Sequence, residues 1–167
     1  MQKGNRLQGK WFNVVFPLVA LLVVVADQLS KLWIRSNLAV EQSLFELGFF
    51  QIIRLPPNTG AAFGLFQGQA FALTIVSLIA IAVILCYALF IYRRFPLLDN
   101  MPSRVAIGLI LGGTVGNLID RIRFGGVTDF IGVGNWWPAF NIADSAVTIG
   151  VIIFAFTLLS LARSETP

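Results

Sequence analysis

Residues 70 to 92 read AFALTIVSLIAIAVILCYALFIY and contain no charged side chain. A helix needs about 20 predominantly apolar residues to cross the hydrocarbon core of a bilayer, so this stretch is predicted to span a membrane. The composition of the whole chain agrees with that prediction. Of its 167 residues, 57% are hydrophobic and 12% are charged, whereas about 25% of the residues of a soluble domain are charged.

Three further apolar stretches predict three more spanning helices, at about residues 12–34, 105–121 and 141–161. The third stretch is short and rich in glycine, which is typical of helices that pack closely inside membranes. The first has the basic start and apolar run of a signal peptide, but its apolar pattern continues beyond Asp27, so we expect it to be retained. The predicted fold is an all-α membrane protein whose residues 1–167 form one domain.

The distribution of basic residues predicts the orientation of the four helices. Lys and Arg accumulate on the cytoplasmic side of membrane proteins. Seven of them lie before the first span, between the second and third, or after the fourth: Lys3, Arg6, Lys10, Arg93, Arg94, Arg104 and Arg163. Four lie on the other side: Arg35, Arg54, Arg121 and Arg123. Both termini are therefore expected in the cytoplasm, and the net charge of +4 is attributed to topology rather than to nucleic-acid binding.

The segment between the first two spans, residues 36–69, is too long and too apolar for a simple connection. Residues 49–54 are predicted to form a strand, which Pro56-Pro57 and a turn at residues 58–60 would end. We therefore expect a small β-sheet that acts as a lid on the outer face of the membrane. Trp136 and Trp137, in the second outer loop, suit the headgroup region of a bilayer.

The chain has no histidine and one cysteine, Cys86, which lies inside an apolar run. The absence of histidine excludes Ser-His-Asp and Cys-His nucleophile systems and zinc sites that use histidine. A reactive thiolate is not expected in apolar surroundings. Catalysis would have to use carboxylates, hydroxyls, amides, Lys or Arg, and we predict neither a metal nor another cofactor.

Four aspartates lie in or near the predicted spans, towards the outer side of the membrane, where ionised groups are costly. Asp27 and Lys31 have the i, i+4 spacing of an intrahelical ion pair, which favours a snorkelling pair that anchors the end of the first helix. Asp120 beside Arg121 favours a structural polar network at the end of the third helix. Asp144 follows Asn141 by three residues, which is the spacing of a capping box at the start of the fourth helix.

The fourth aspartate, Asp129, lies in a glycine-rich loop and could be an ordinary loop acid. It could also pair with Asp144. Two neighbouring carboxylates do not both ionise easily, so one retains a proton near neutral pH. The ionised group can then take a proton from water while the other donates to a carbonyl oxygen, as in an aspartic protease. A transporter or ion channel that uses Asp27, Asp120 and Lys31, or a scaffold packed through the glycine-rich helix, remain alternatives on this pattern.

Four stretches resemble motifs of the bacterial lipoprotein signal peptidases, also called signal peptidase II. They are DQLSK at 27–31, Arg54 with NTGAAF at 58–63, GNLIDR at 116–121, and VTDF at 127–130 followed by FNIADS at 140–145. Their order on four spans makes the resemblance specific, and it covers about residues 15 to 160. Two departures occur: Thr128 stands where the family more often has valine, and the stretch 130–143 is a few residues short.

The resemblance implies an aspartic endopeptidase that removes the signal peptide of a prolipoprotein just before a cysteine carrying diacylglycerol. Asp129 and Asp144 match the two catalytic aspartates. The positions that match supporting residues of the family site are Asn117, Arg121, Asn141, Asp120, Asn58, Gly60, Arg54, Asp27 and Lys31.

The resemblance also implies a location in the bacterial cytoplasmic (inner) membrane, with the site near the extracytoplasmic face. A lid over the site would clasp the substrate and its lipid. The expected partners are prolipoprotein signal peptides, membrane lipids and the cyclic peptide globomycin, which would occupy the same cleft. Because both aspartates lie on one chain, a monomer would suffice.

Overall fold

The computed structural model describes residues 3–61, 65–91, 100–134 and 136–164. Its helices are α1 (Lys3–Asn37), α2 (Ala70–Cys86, continued by a π-helical turn over Tyr87–Ile91), α3 (Met101–Phe124) and α4 (Ile142–Ser164). Each contains a segment long and apolar enough to cross a membrane: Val14–Asn37, Ala70–Phe90, Met101–Phe124 and Ile142–Arg163. Four spans are therefore confirmed. The predicted end of the second span, Tyr92, lies outside the described residues.

The third span was predicted too short. Helix α3 begins after Asn100, whose side chain accepts a hydrogen bond from the Ser103 N–H at 2.9 Å. It ends at Gly125, which has a left-handed φ of 70° that glycine adopts without strain. Ser103 and Arg104 near the start of α3, and Asp120 near its end, are buried, so apolar length underestimates this helix. The first helix likewise extends beyond the predicted residue 34, to Asn37.

Glycines allow α3 to approach its neighbours closely. A Cβ atom at Gly112 would lie 2.7 Å from the backbone oxygen of Ala20 in α1. On the other side of α3, a Cβ at Gly150 of α4 would lie 2.7 Å from the backbone oxygen of Ala106. The close packing expected of the glycine-rich helix is confirmed, and α1, α3 and α4 form the tightly packed part of the molecule.

The sheet lies at one end of the helices, which we call the sheet end. Its strands are β1 (Ser43–Leu47), β2 (Phe50–Ile53), β3 (Ile131–Val133) and β4 (Trp137–Phe140), all antiparallel in the order β1-β2-β3-β4. The strand predicted at residues 49–54 is confirmed. The expectation that the first loop alone builds the sheet was too narrow, because β3 and β4 come from the loop between α3 and α4. Residues 62–64, which include two positions of the NTGAAF motif, lie outside the described residues.

An apolar cluster fixes the sheet to the helices. It consists of Ile34, Leu38 and Phe130, with Ile52, Ile131 and Ile142 packed against them. The cluster joins the end of α1, strands β2 and β3 and the start of α4. Phe130 directly follows Asp129, so this cluster contributes to the position of that carboxylate relative to the helices.

We expect Gly112→Val to destabilise the protein. Its methyl groups would meet the backbone of Ala20, which cannot move without displacing α1, and such overpacking costs about 1–3 kcal/mol. Thermal unfolding in detergent measures the effect. Ala26→Val adds two methyl groups at an exposed position of α1 and should leave the melting temperature unchanged. Equal melting temperatures for both variants would contradict the close contact between α1 and α3.

Candidate active site

A short hairpin places Asp129 opposite Asn141. Asp129 lies two residues before β3, and Asn141 directly follows β4. Residues at the open ends of an antiparallel hairpin face each other, and the Phe130 N–H donates to the Phe140 carbonyl at 3.1 Å. The Asn141 side-chain amide then donates to Asp129 Oδ1 at 2.8 Å.

Asn141 also begins helix α4. Its Oδ1 accepts from the Asp144 N–H at 3.0 Å, and its own N–H donates to Asp144 Oδ2 at 3.1 Å. This reciprocal pair is the predicted capping box. Capping and pairing with Asp129 are therefore compatible interpretations of Asp144, because the one residue Asn141 contacts both carboxylates.

The remaining carboxylate oxygens are held by two more asparagines. Asn117 donates to Asp144 Oδ1 at 2.8 Å, and Asn58 donates to Asp129 Oδ2 at 3.0 Å. Asn58 is fixed in turn by the Gly60 N–H, which donates to its Oδ1 at 2.9 Å. Within the described residues, the ion pairs closer than 4 Å involve neither Asp129 nor Asp144. Neutral amides thus bind all four oxygens.

Asp129 is only 5% exposed, so the interpretation as an ordinary loop acid is wrong. Burial, and then the negative charge of Asp144, raise the pKa of Asp129 from its ordinary value of 3.8 to about 6, against the opposing effect of the bonds from Asn58 and Asn141. Asp129 therefore binds a proton at a pH where a solvated aspartate is fully ionised.

Both carboxylates line a cavity of about 510 Å³ between α2, α3, α4 and strand β4. Arg121 also lines it, and its buried Nε has no hydrogen-bond partner among the described residues. The wall consists of Asn58, Gly60, Ala61, Ser77, Thr114, Asn117, Arg121, Val127, Asp129, Trp137, Pro138, Ala139, Phe140, Asp144, Ser145, Val147, Thr148 and Ile149.

A second polar cluster lies behind the cavity. Asp27 and Lys31 are fully buried, with Lys31 Nζ 2.9 Å from Asp27 Oδ2 and 3.7 Å from Asp120 Oδ2. The snorkelling interpretation of the Asp27–Lys31 pair is therefore wrong. Lys31 Nζ also donates to Asn117 Oδ1 at 2.9 Å, which leaves one amide between this cation and Asp144.

The structural network expected at Asp120 is confirmed, but its partners differ from the adjacent Arg121. Asp120 accepts from Gln28, Arg35 and the Thr128 N–H. Sequence reasoning missed Gln28 and Arg35. The available signal for Arg35 was its position four residues after Lys31, which places both side chains on one face of α1.

Arg54 does not line the cavity. Its guanidinium donates to the carbonyl oxygens of Arg35 at 3.0 Å and Leu38 at 2.7 Å. It therefore holds the segment after β2 to the end of α1. Four of the other matched positions line the cavity: Asn58, Gly60, Asn117 and Arg121. Asp27, Lys31 and Asp120 form the cluster behind it, and Asn141 is fully buried behind the two carboxylates that it contacts.

Fold and site together define a multi-pass membrane protein with two amide-bound carboxylates in the wall of a cavity at one end of its helices. Residues 19–160 match the family model described as signal peptidase (SPase) II. The chain belongs to the signal peptidase II family and is a membrane peptidase. This assignment decides against the transporter and scaffold alternatives.

Relatives and solved structures agree with the family model. A lipoprotein signal peptidase of Dehalococcoides mccartyi is 50% identical over 140 residues, which are 84% of this chain and 86% of that protein. That of Moorella thermoacetica is 42% identical over 150 residues, or 90% and 96% of the two chains. A bacterial membrane enzyme solved by the in meso method at 2.3 Å has a TM-score of 0.80 and 33% identity, covering 89% of this chain and 90% of its own. Another, solved at 1.9 Å, has a TM-score of 0.73 and 34% identity, covering 85% and 90%.

We expect the Asp144→Asn variant to have a lower Asp129 pKa than the wild type, because it removes one of the two causes of the raised value. Burial remains, so the pKa should stay above 3.8. Carbon-13 NMR titration of labelled aspartate carboxyls in detergent measures it, with the signal assigned by its loss in Asp129→Asn. Glu46→Gln, which neutralises an exposed carboxylate on β1, should leave the pKa near 6. An unchanged value in Asp144→Asn would contradict the electrostatic coupling.

Stability should depend on pH through Asp129. Its folded-state pKa lies above the ordinary value, so protonation stabilises the folded protein. This stabilisation is complete below about pH 4 and is lost as pH rises through about 6. Between pH 5 and pH 7 the free energy of unfolding should fall by about 1 kcal/mol. Melting curves across this range should show a smaller decrease for Asp129→Asn than for the wild type.

Proposed function

We propose that the protein is an aspartic endopeptidase that removes the signal peptide from diacylglyceryl-modified prolipoproteins just before the lipidated cysteine. The observation that carries this proposal is the position of Asn141, which binds both Asp129 and Asp144 in the wall of one cavity. Membership of the signal peptidase II family supports the substrate class.

The two carboxylates would share one proton at rest. The ionised member removes a proton from a water molecule, whose oxygen attacks the scissile carbonyl carbon, while the protonated member donates to the carbonyl oxygen. As the C–N bond breaks, the leaving amine takes up the proton that was removed from water, and a hydroxyl of the tetrahedral intermediate returns its proton to the other carboxylate, which restores the shared proton of the pair. The raised pKa of Asp129 supports proton sharing near neutral pH, and the apparent values belong to the pair.

The amide environment suits this role. A cation in direct contact with a carboxylate would lower its pKa and hold it ionised. Asn58, Asn117 and Asn141 orient the carboxylates by neutral hydrogen bonds instead. The amides thereby fix the orientation of both carboxylates, and one carboxylate remains able to hold a proton.

The position of the cavity suits a lipid-bearing substrate. Two of its lining residues, Thr148 and Ile149, are also exposed on the outer surface of α4. An opening at this surface would let the peptide reach the carboxylates while its acyl chains remain among membrane lipids. The described part of segment 36–69 carries Asn58 and Gly60 into the cavity wall, which supports a lid role for this segment. Globomycin would occupy the same cavity.

We place the protein in the bacterial cytoplasmic (inner) membrane, with the sheet end outside and both termini in the cytoplasm. The excess of basic residues on the other side supports this orientation. Trp136 and Trp137, 71% and 49% exposed at the sheet end, suit the headgroup region of the outer leaflet. Since one chain supplies both carboxylates, a monomer would suffice.

The test is cleavage of a diacylglyceryl-modified prolipoprotein by the purified protein in detergent. Asp129→Asn and Asp144→Asn keep the volume of each side chain and remove its proton chemistry, so each should reduce kcat by about 10⁴-fold. Glu46→Gln is the control for loss of a carboxylate at the sheet end and should cleave normally. Retention of a wild-type rate by a folded Asp129→Asn or Asp144→Asn variant would rule out the proposed mechanism.

The same assay tests the substrate class. Unmodified prolipoprotein, which lacks the diacylglycerol, should be cleaved poorly or not at all by the wild-type protein. Equal rates on the two substrates would show that the lipid is not recognised.

A further inference from the structure

Arg35, in the last turn of α1, lies outside every motif that carries the family resemblance. Its Nη1 atom is 3.3 Å from both carboxylate oxygens of Asp120, and it donates to Thr128 Oγ1 at 2.8 Å. Its guanidinium carbon lies 4.3 Å from the centre of the Phe124 ring. An ion pair, a hydrogen bond and a cation–π contact thus hold one side chain that is only 16% exposed.

Thr128, the residue that Arg35 contacts, immediately precedes Asp129. It is held at a second point, because its backbone N–H donates to Asp120 Oδ2 at 2.9 Å. Asp120 itself is fully buried and paired with Arg35 and Lys31. Side chain and main chain of Thr128 are therefore both tied to the ends of α1 and α3.

The chain on either side of this point is held differently. After Asp129, the Phe130 carbonyl accepts from the Ile53 N–H of β2 at 3.0 Å. Before Thr128, Val127 exchanges two backbone hydrogen bonds of 2.8 Å with Asn58. Both are contacts with the segment after β1, which belongs to the lid. The contacts of Thr128 link this stretch to α1 and α3 by hydrogen bonds, in addition to the bond from Asn141 to Asp129 and the apolar packing of Phe130.

We propose that Arg35 and Thr128 form a clamp with Asp120 that sets the position of Asp129 relative to Asp144, which makes Arg35 a positioning residue for peptide hydrolysis. The proposal rests on the catalytic role proposed for Asp129. It also accounts for threonine at position 128, since a valine would have the same shape but no oxygen to accept from Arg35.

Arg35 also balances the charge of the buried cluster. The buried cluster contains two acids, Asp27 and Asp120, and two cations, Lys31 and Arg35. Loss of the Arg35 charge would leave an excess negative charge in a low-dielectric region beside the carboxylate pair. A variant that keeps the charge but loses the planar guanidinium therefore separates positioning from charge balance.

The experiment compares Thr128→Val and Arg35→Lys with the wild type. Thr128→Val removes the acceptor at constant volume, and Arg35→Lys keeps the charge but loses the guanidinium donors that contact Asp120 and Thr128 together. Each should lower kcat by about tenfold or more with little change in KM, because misplaced catalytic groups slow the chemical step. In the double variant the losses should not multiply, since both changes break the same contact. The matched control is Arg123→Lys, at an exposed arginine 5.2 Å from the centre of the same Phe124 ring.

A second measurement distinguishes positioning from general destabilisation. Carbon-13 titration should show the Asp129 pKa falling from about 6 towards its ordinary value in Thr128→Val, because a loosened loop admits water to a carboxylate whose burial raised its pKa. If Thr128→Val lowers the melting temperature but leaves kcat and the Asp129 pKa unchanged, the contact is only structural and the proposal is overturned. An unchanged kcat in a fully stable Thr128→Val protein would overturn it as well.

The two proposals can fail separately. Absence of cleavage by the wild-type protein, or cleavage by Asp129→Asn, would refute the proposed function. The titration of Asp129 does not depend on turnover. An Asp129 pKa that is the same in Thr128→Val, Arg35→Lys and the wild type would refute the clamp even if the peptidase assay succeeds.

Discussion

The ion pair between Asp27 and Lys31 is the interaction on which the rest of the structure depends. Each charge is fully buried, and an unpaired charge inside a membrane bundle is costly. Asp27 Oδ1 also accepts from the Ala143 N–H at the start of α4 at 3.0 Å, and Lys31 donates to Asn117 of α3. This ion pair therefore links α1, α3 and α4 near the sheet end and fixes their positions along the bundle relative to one another. A Cβ at Gly116 would lie 2.5 Å from Asp27 Oδ2, so the pair also requires glycine at that position.

The same pair connects to the cavity through asparagine. Asn117 Oδ1 accepts from both Lys31 and Asn141, while its amide nitrogen donates to Asp144. The cation is held one amide away from the carboxylates, close enough to orient Asn117. All direct contacts of Asp129 and Asp144 then remain neutral. Because the cation does not contact the carboxylates directly, the pKa of the buried Asp129 is about 6 although the charge of Lys31 lowers it.

The length of apolar sequence was sufficient to predict the four spans, because the thickness of the hydrocarbon core sets that length directly. It predicted the ends of α3 wrongly, because Ser103 and Asp120 there are polar but buried. The Asn141–Asp144 cap was predictable because its signal is local. The bond from Asn141 to Asp129 was not, because it depends on a hairpin of strands too short to show alternation. Asp27 and Lys31 were misjudged for a related reason: the i, i+4 spacing describes one helix, and their burial depends on side chains from two others.

Helix α2 differs from α3 and α4, the other two helices that line the cavity. Ser77 is the one buried residue of its segment Ala70–Cys86, and large side chains such as Phe71 and Val83 face outward. In a bilayer, most of the side chains of α2 would therefore face acyl chains. The hydrocarbon thickness of the membrane therefore acts on one wall of the cavity through the tilt of this helix. Membranes of different thickness would thus be expected to change the shape of the cavity by changing the tilt of α2.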